Sequence, residues 1–266
     1  MRLYVSAMFK YFRPMFIIIF SAFFFLSANV FAEDSAKKPV VDTPYNVVVI
    51  GDSLAVGLWQ GLHKNLQNIQ KPAFNVVREA KVNTGLVRSD RFDWPSHIEK
   101  LAQRSDFQVA VIMFGGNDAQ SIRTKGKRHH YKTPGWEEHY RQRIDRIIQA
   151  FKKKDVALYW VGLPNIKKSE RREDYLHVNA IFKERAAENG VRFIDTWDVT
   201  NDENGHFRPH GKTVDGKKAL LRAKDGIHFT PEGYRILARY PQKAILEDMI
   251  DLDATTTSDI LEKVVH

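Results

Sequence analysis

Residues 45–54 read Tyr-Asn-Val-Val-Val-Ile-Gly-Asp-Ser-Leu. The apolar run that ends at Ile50 has the composition of a strand buried on both faces, as in a parallel sheet. Ser53 follows Gly51 and Asp52, on the turn into the next helical segment. Open α/β sheets carry their active sites at the carboxyl ends of their strands. The stretch therefore predicts an α/β fold with a serine at the functional edge of the sheet.

Strand and helix patterns alternate along the rest of the chain. Short apolar runs predict five strands, at residues 46–50, 75–78, 108–114, 156–162 and 191–195. Apolar residues that recur every three to four positions predict helices at residues 58–66, 95–104, 136–151, 175–186 and from 231 onward, the last with Ile236, Leu237 and Tyr240 on its apolar side. This order predicts a doubly wound, three-layer α/β/α sandwich with a five-stranded parallel sheet.

The first 32 residues have the pattern of a secretory signal peptide. Arg2, Lys10 and Arg13 precede the apolar run Met15–Leu26, and small residues lead to a predicted cleavage site after Ala32. The apolar run is shorter than the roughly 20 residues of a spanning helix, which favours a cleaved signal over an uncleaved membrane anchor. We expect the protein in the periplasm or secreted, with membrane contact only through an uncleaved signal.

The remaining chain, about 234 residues, has the length of one large domain. Residues 33–43 are polar and predict a disordered linker. The predicted folded domain covers residues 44–250, and residues 251–266 form a C-terminal tail. We find no internal repeat and no second domain.

Composition narrows the possible chemistry and partners. The chain has no cysteine, which excludes thiol catalysis, disulfides and a lipid attached to a cysteine. Its net charge of +9 falls to about +6 without the signal segment, which carries three basic and no acidic residues. The basic residues are spread along the chain and form no long run interleaved with aromatic residues, so no nucleic-acid partner is expected.

Four short polar blocks follow predicted strands or precede the last helix. In chain order they are Gly51-Asp52-Ser53-Leu54, Asn83-Thr84-Gly85-Leu86, Gly115-Gly116-Asn117-Asp118 and Asp225-Gly226-Ile227-His228. Together they contain the residue types that acyl transfer to a serine requires.

Each block contributes a residue to such a site. Ser53 is the candidate nucleophile, His228 the base that takes its proton, and Asp225 the acid that orients the imidazole. The tetrahedral intermediate needs donors for its negative oxygen. We expect the backbone N–H groups of Ser53 and Gly85 and the amide of Asn117 to supply them. No cofactor and no metal ion is expected.

The four blocks, in this order, resemble those of the SGNH (GDSL) hydrolase superfamily. The resemblance covers most of the chain after the signal segment and implies a flavodoxin-like α/β/α sandwich. It assigns Ser53, Asp225 and His228 to a catalytic triad, and Gly85 and Asn117 to the oxyanion hole. The superfamily covers lipases, thioesterases, arylesterases and carbohydrate O-acetylesterases.

Two further segments, Arg88–Pro95 and Trp160–Pro164, look like those of a bacterial envelope subgroup of this superfamily. The G-x-S-x-G elbow of α/β-hydrolases is a poorer match. In that fold the serine follows several strands, and its acid and histidine lie far apart in sequence.

Each block residue also has a structural interpretation. Ser53 alone suits a helix N-cap, Asp225 a turn cap, and Asn117-Asp118 an Asx turn. Taken one by one these interpretations are ordinary, but they leave the joint order of the blocks unexplained.

Several other residues are weaker candidates. The pair His129-His130 lacks partners at metal-ligand spacing, and His206 and His210 lie in a Gly-rich loop where we expect no metal site. Trp94, Trp136 and Trp197 are suited to stacking on sugars, but core packing is the more common role of tryptophan. The polar stretches 119–133 and 200–224 either frame a substrate cleft or are solvated insertions.

These observations predict an exported serine esterase that removes O-acetyl or other short acyl groups from an acylated small molecule, polysaccharide or peptidoglycan. The alternatives are an O-acetyltransferase that uses the same triad, a lipase or thioesterase, and a non-catalytic glycan-binding or envelope-assembly protein.

Overall fold

The computed structural model of the protein describes residues 44–69 and 72–249. Its strands are β1 (Tyr45–Gly51), β2 (Phe74–Ala80), β3 (Val109–Met113), β4 (Ile122–Thr124), β5 (Lys127–His129), β6 (Ala157–Val161), β7 (Arg192–Ile194), β8 (His210–Lys212) and β9 (Lys218–Leu220). Its α-helices are α1 (Ser53–Leu66), α2 (Trp94–Arg104), α3 (Pro134–Lys152), α4 (Arg172–Glu188) and α5 (Pro231–Met249), and a 3₁₀ turn covers Ser169–Arg171.

Five of these strands form one parallel sheet in the order β2-β1-β3-β6-β7. This is the flavodoxin-like strand order of doubly wound folds. The side chains of β3 are fully buried, and those of β1 nearly so, because helices cover the sheet on both faces. Helix α1 packs on α5, and α3 packs between α2 and α4. The predicted three-layer α/β/α fold and its five-stranded sheet are confirmed.

The strand register determines which loops meet. Gly51, the last residue of β1, pairs with Ala80 of β2 and with Met113 of β3. The three strands therefore end level with one another, and the segments that follow them meet at one edge of the sheet. Gly51 has φ of +151°, and a Cβ atom there would lie 1.8 Å from the Met113 carbonyl oxygen. Only glycine fits this close approach.

Two glycines bring α1 and α5 into close contact. A Cβ atom on Gly57 would lie 2.0 Å from the Tyr234 ring, and one on Gly61 would lie 2.2 Å from the Tyr234 carbonyl oxygen. Because α1 begins at Ser53 and α5 begins shortly after His228, this packing places the start of one helix beside the start of the other.

The structure corrects some details of the prediction. Tyr240 does not belong to the buried side of α5: it is 41% exposed, and the helix packs through Tyr234, Leu237 and Ala238 instead. The polar stretch 119–133 holds the β4–β5 hairpin, where a plain loop was expected. The predicted strand over residues 108–114 is shorter, because only Val109–Met113 forms the parallel ladder.

The predicted signal segment, the predicted linker of residues 33–43 and the predicted C-terminal tail all lie outside the described residues. Within the part that the structure describes, no helix combines the length and apolar character needed to cross a membrane.

Candidate active site

Asp52 caps α1 and thereby positions Ser53. Its Oδ1 accepts a hydrogen bond of 2.9 Å from the Leu54 N–H, and its Oδ2 accepts one of 3.1 Å from the Gly116 N–H. The carboxyl therefore joins the loop after β1 to the loop after β3. Because Asp52 occupies the N-cap, Ser53 is the first helical residue and its hydroxyl is available for another partner.

That partner is His228. The Ser53 Oγ lies 2.8 Å from the His228 Nε2, across 175 residues of sequence. On the other side of the ring, the His228 Nδ1 lies 2.7 Å from the Asp225 Oδ2. The three side chains thus form one continuous hydrogen-bonded chain, with the geometry that a serine–histidine–acid site requires.

Asp225 also holds its own loop in shape. Its Oδ1 accepts hydrogen bonds from the backbone N–H groups of Ile227 at 2.8 Å and of His228 at 2.9 Å. Partial burial acts to raise the pKa of Asp225, but the hydrogen bonds from the His228 ring and from these two N–H groups outweigh it and lower the pKa. The carboxylate is therefore ionised and able to stabilise a charged imidazole.

A buried arginine holds the loop that carries Asp225 and His228 in place. Arg222 is 1% exposed. Its guanidinium donates to the carbonyl oxygens of Ile227 at 2.8 Å and of Gly226 at 3.3 Å, and to the Asn165 carbonyl. It also lies over the Phe229 ring at 4.2 Å. Burial lowers the pKa of Arg222 to about 10, so it remains charged at neutral pH. Arg222 therefore fixes the backbone of Gly226 and Ile227, directly before His228.

The expected oxyanion donors lie on the segments that follow β1, β2 and β3, which end level at one edge of the sheet. The Asn117 amide donates one N–H to the Thr84 carbonyl oxygen at 2.9 Å, which fixes its orientation and leaves its second N–H available. The Thr84 side chain is held in turn by the Trp94 indole at 3.0 Å. In the described residues, the backbone N–H groups of Ser53 and Gly85 have no hydrogen-bond partner.

A second buried carboxyl shapes the loop that carries Gly85. Asp118 is fully buried and accepts hydrogen bonds from the Leu86 N–H at 3.2 Å, the Val87 N–H at 3.3 Å and the Tyr140 hydroxyl at 2.8 Å. A Cβ atom on Gly85 would lie 2.1 Å from the Asp118 Oδ1. The loop can therefore wrap this carboxyl only with glycine at position 85.

The two buried carboxyls influence each other. Burial raises the pKa of Asp52 to about 7; the nearby Asp118 adds to the rise, and the hydrogen bond from the Leu54 N–H opposes it. Burial also raises the pKa of Asp118, against the hydrogen bonds from Tyr140 and from the Leu86 and Val87 N–H groups. Two acids thus lie beneath the candidate site, and Asp52 titrates near neutral pH.

The structure places the other predicted residues away from this chain of hydrogen bonds. Trp94 and Trp136 are fully buried and pack in the core, while Trp197 is half-buried. His129 lies beside the Thr124 hydroxyl, and His206 beside Asp202. Over residues 44–69 and 72–249, no group of three or more His, Asp or Glu side chains is arranged to hold a metal ion.

Sequence reasoning missed three supporting residues: Asp52, Asp118 and Arg222. Each lies within or beside one of the four blocks, but its role depends on partners distant in sequence. Asp52, for example, contacts the N–H of Gly116, 64 residues away. The available signal was their position: each is a charged residue next to an apolar segment that the fold buries.

Comparisons with known proteins agree with this fold. An acetyl xylan esterase variant from Geobacillus stearothermophilus matches with a TM-score of 0.55 and 20% identity, over 80% of this chain and 100% of that chain. A GDSL-like lipase from Bacteroides thetaiotaomicron matches with a TM-score of 0.53 and 18% identity, over 76% and 88%. The periplasmic domain of a lipopolysaccharide acetyltransferase from Salmonella ser. Paratyphi A matches with a TM-score of 0.51 and 14% identity, over 78% and 85%.

At these identities the likeness concerns the fold, and it agrees with the resemblance of the four blocks to the SGNH hydrolases. No curated protein matches the sequence. The family described as "Protein of unknown function (DUF459)" matches residues 46–244, well over half of the chain. The protein therefore belongs to the DUF459 family, a family with the fold of the SGNH (GDSL) hydrolases.

Proposed function

We propose that the protein is a serine esterase that removes a short acyl group from a carbohydrate through an acyl-enzyme. The observation that carries the proposal is the continuous chain from the Ser53 Oγ through the His228 ring to the Asp225 carboxylate, with distances of 2.8 and 2.7 Å. A serine with a purely structural role needs only one hydrogen-bond partner. A nucleophile needs the base and the acid in series.

In the first half of the reaction, the Ser53 Oγ attacks the ester carbonyl carbon while His228 takes the hydroxyl proton. The carbonyl oxygen becomes negative, and the N–H groups of Ser53, Gly85 and Asn117 donate to it. The intermediate then collapses: the carbon–oxygen bond to the sugar breaks, and His228 returns the proton to the leaving alkoxide. The acyl group is left on Ser53, and the sugar departs as an alcohol.

In the second half, water replaces the sugar. His228 takes a proton from the water, whose oxygen attacks the acyl carbonyl at the same oxyanion site. Collapse breaks the acyl–Ser53 bond, His228 returns its proton to the Ser53 Oγ, and a free carboxylic acid leaves. Asp225 keeps the imidazole in the tautomer that presents Nε2 to the serine throughout.

The surroundings support a carbohydrate ester more than a lipid. The loops beside the site, residues 119–133 and 200–224, are polar and basic and offer no long apolar lid. An acetyl xylan esterase is among the proteins that share the fold. The signal-like pattern of residues 1–32 supports a periplasmic or secreted location, which makes an acylated envelope glycan or peptidoglycan the candidate substrate.

Transfer of the acyl group to a sugar hydroxyl is the second candidate. It uses the same residues and differs only in the acceptor that enters after acylation. Similarity to the periplasmic domain of a lipopolysaccharide acetyltransferase supports it at the level of fold.

Hydrolysis of p-nitrophenyl acetate by the purified protein, beside Ser53→Ala, tests the proposal. We expect turnover that falls by at least about 1,000-fold in the variant, because residual catalysis without the nucleophile is small. Acetate release from acetylated xylan, with and without added xylo-oligosaccharide acceptor, separates hydrolysis from transfer. A folded wild type without turnover on either ester, or equal turnover in Ser53→Ala, would favour the glycan-binding alternative.

A further inference from the structure

A polar cavity lies along the segments that follow β2 and β3. Its volume is about 780 Å³. Its wall includes Val87, two residues after Gly85, and Ala119, two residues after Asn117. The loops that supply the expected oxyanion donors therefore continue directly into the cavity wall.

The β4–β5 hairpin gives the cavity its charge. Arg123 of β4 and Arg128 of β5 both line it, and the antiparallel register places them directly opposite each other. Opposed residues in such a pair have Cβ atoms about 5 Å apart, and like charges in this arrangement repel. Neither arginine forms an ion pair with any residue that the structure describes. Two unpaired guanidinium groups thus face the same space.

The other charged groups at the cavity do not cancel this excess. Asp90 is already bound to Arg88, with hydrogen bonds of 2.6 and 2.7 Å, so that pair is neutral as a whole. Asp174, behind Tyr131, is bound to Lys132 at 3.1 Å. None of the other residues that line the cavity carries a carboxylate. The described residues therefore leave the guanidinium groups of Arg123 and Arg128 without a neutralising anion.

We propose that this cavity binds the anionic group, a carboxylate or a phosphate, of an acidic saccharide whose acyl ester reacts at Ser53. The inference rests on the proposed function and names its substrate class. Arginine pairs suit this task because the planar guanidinium donates two parallel hydrogen bonds to a carboxylate or phosphate.

The rest of the wall fits a sugar better than an acyl chain. Gln120 and Ser121 offer hydrogen-bonding groups to hydroxyls, and Gln120 is fixed by its bond to the Asn117 carbonyl at 2.5 Å. Tyr131 presents a half-buried ring, held by an edge-on contact with Trp136 at 4.8 Å, as a surface on which a sugar can stack.

Calorimetric titration of the full chain carrying Ser53→Ala tests the inference without turnover. The probes are tetragalacturonate, glucose 6-phosphate and neutral xylotetraose. We expect an anionic probe to bind at least about tenfold more tightly than xylotetraose. In Arg123→Gln/Arg128→Gln the affinity for that probe falls about tenfold to a hundredfold, as charge-assisted hydrogen bonds are lost. The single variants Arg123→Gln and Arg128→Gln should each show part of this loss.

The matched control is Arg104→Gln/Lys153→Gln, which removes the same charge from exposed positions. Arg104 is the last residue of α2 and Lys153 follows α3, so both lie near the starts of β3 and β6, at the opposite edge of the sheet. The control should bind within about twofold of the parent, which separates local contacts from a change in net charge. Thermal unfolding followed by circular dichroism checks that every variant is folded.

The outcomes identify which anion binds, and they distinguish a failure of this inference from a failure of the proposed esterase function. Preference for tetragalacturonate identifies a carboxylate, and preference for glucose 6-phosphate identifies a phosphate. Equal binding of all three probes, or equal losses in the hairpin variant and its control, would overturn the inference. Because binding is measured without the nucleophile, an inactive wild type that still binds the anion refutes only the esterase. An active esterase with no such preference refutes only the anionic substrate.

Discussion

Asn117 is the residue whose contribution to the proposed chemistry is most specific. Its amide is fixed by the Thr84 carbonyl and has a second N–H to offer. We expect Asn117→Ala to lower kcat for p-nitrophenyl acetate by about 100- to 1,000-fold with KM within a few-fold of wild type, because the lost donor acts on the transition state. Steady-state kinetics measure both constants.

The matched control for this variant is Asn68→Ala, which removes an exposed amide after α1 and should leave kcat unchanged. If Asn117→Ala instead raised KM and spared kcat, the amide would bind the ground state, and its assignment to the oxyanion hole would be wrong.

Asp52 gives the stability of the protein a distinctive pH dependence. Its carboxyl titrates near 3.8 when unfolded and at about 7 when folded. Between these values the folded state holds the extra proton, so each rise in pH favours unfolding. The contribution of the protonated carboxyl to stability is complete below pH 3.8 and is lost as the pH rises through 7.

Urea unfolding of the wild type and of Asp52→Asn at pH 5 and pH 7 measures this effect. We expect the wild type to lose about 2 kcal/mol more than the variant between the two pH values. The comparison uses the change with pH in each protein, so a constant loss of stability in the variant does not matter. Parallel pH profiles would show that Asp52 does not hold a proton in the folded state.

For single residues, the sequence identifies the candidate reactive side chains better than it identifies the residues that hold them in position. Ser53 and Asn117 could be chosen because each follows an apolar strand, and His228 because an aspartate precedes it by three residues. Arg222 and Asp118 were harder to choose, because a charged residue beside an apolar segment is a weak signal and their hydrogen-bond partners are brought near only by the assembled fold. The unpaired N–H of Gly85 is likewise visible only in three dimensions.

The contact between α1 and α5 positions Ser53, the proposed nucleophile, relative to His228, its proposed base. We expect Gly57→Ala to destabilise the protein by about 1–3 kcal/mol, because the new methyl group overlaps the Tyr234 ring. This effect opposes the gain of up to about 1 kcal/mol that alanine brings to an unhindered helix. Urea unfolding gives the sign, and p-nitrophenyl acetate hydrolysis should fall in parallel as His228 is displaced.

A double-mutant cycle isolates that contact. In a Tyr234→Ala background the ring is absent, so Gly57→Ala should be neutral or stabilising. Stabilisation of the wild type by Gly57→Ala would instead mean that the two helices are not in close contact.

The existence of the elements was predictable, but some of their details were not. Helix α2 begins at Trp94, one residue before the predicted Pro95, because Asp93 accepts from the Ser96 N–H and caps it. Tyr240 follows the helical period yet lies exposed, since α5 turns a different face toward α1. The β4–β5 hairpin has a polar sequence without apolar alternation, so no periodic pattern predicted it.

At the scale of the whole molecule, alternation of apolar runs and helical stripes was enough to predict a doubly wound domain. Strand order was not visible in those patterns, because it depends on which strands pair. The order β2-β1-β3 brings the ends of β1, β2 and β3 together, and α5 then returns across α1 to bring His228 to Ser53. The candidate site is thus a product of topology: Ser53 and His228, the proposed nucleophile and base, lie 175 residues apart in the sequence.

Labelling with a fluorophosphonate tests whether Ser53 is an activated nucleophile, because the reagent reacts with a serine only where a base and oxyanion donors surround it. We expect intact-mass spectrometry to show one label per chain, mapped to Ser53, and no label in Ser53→Ala or His228→Ala. A folded wild type that stays unlabelled, or a label that persists in Ser53→Ala, would contradict the account.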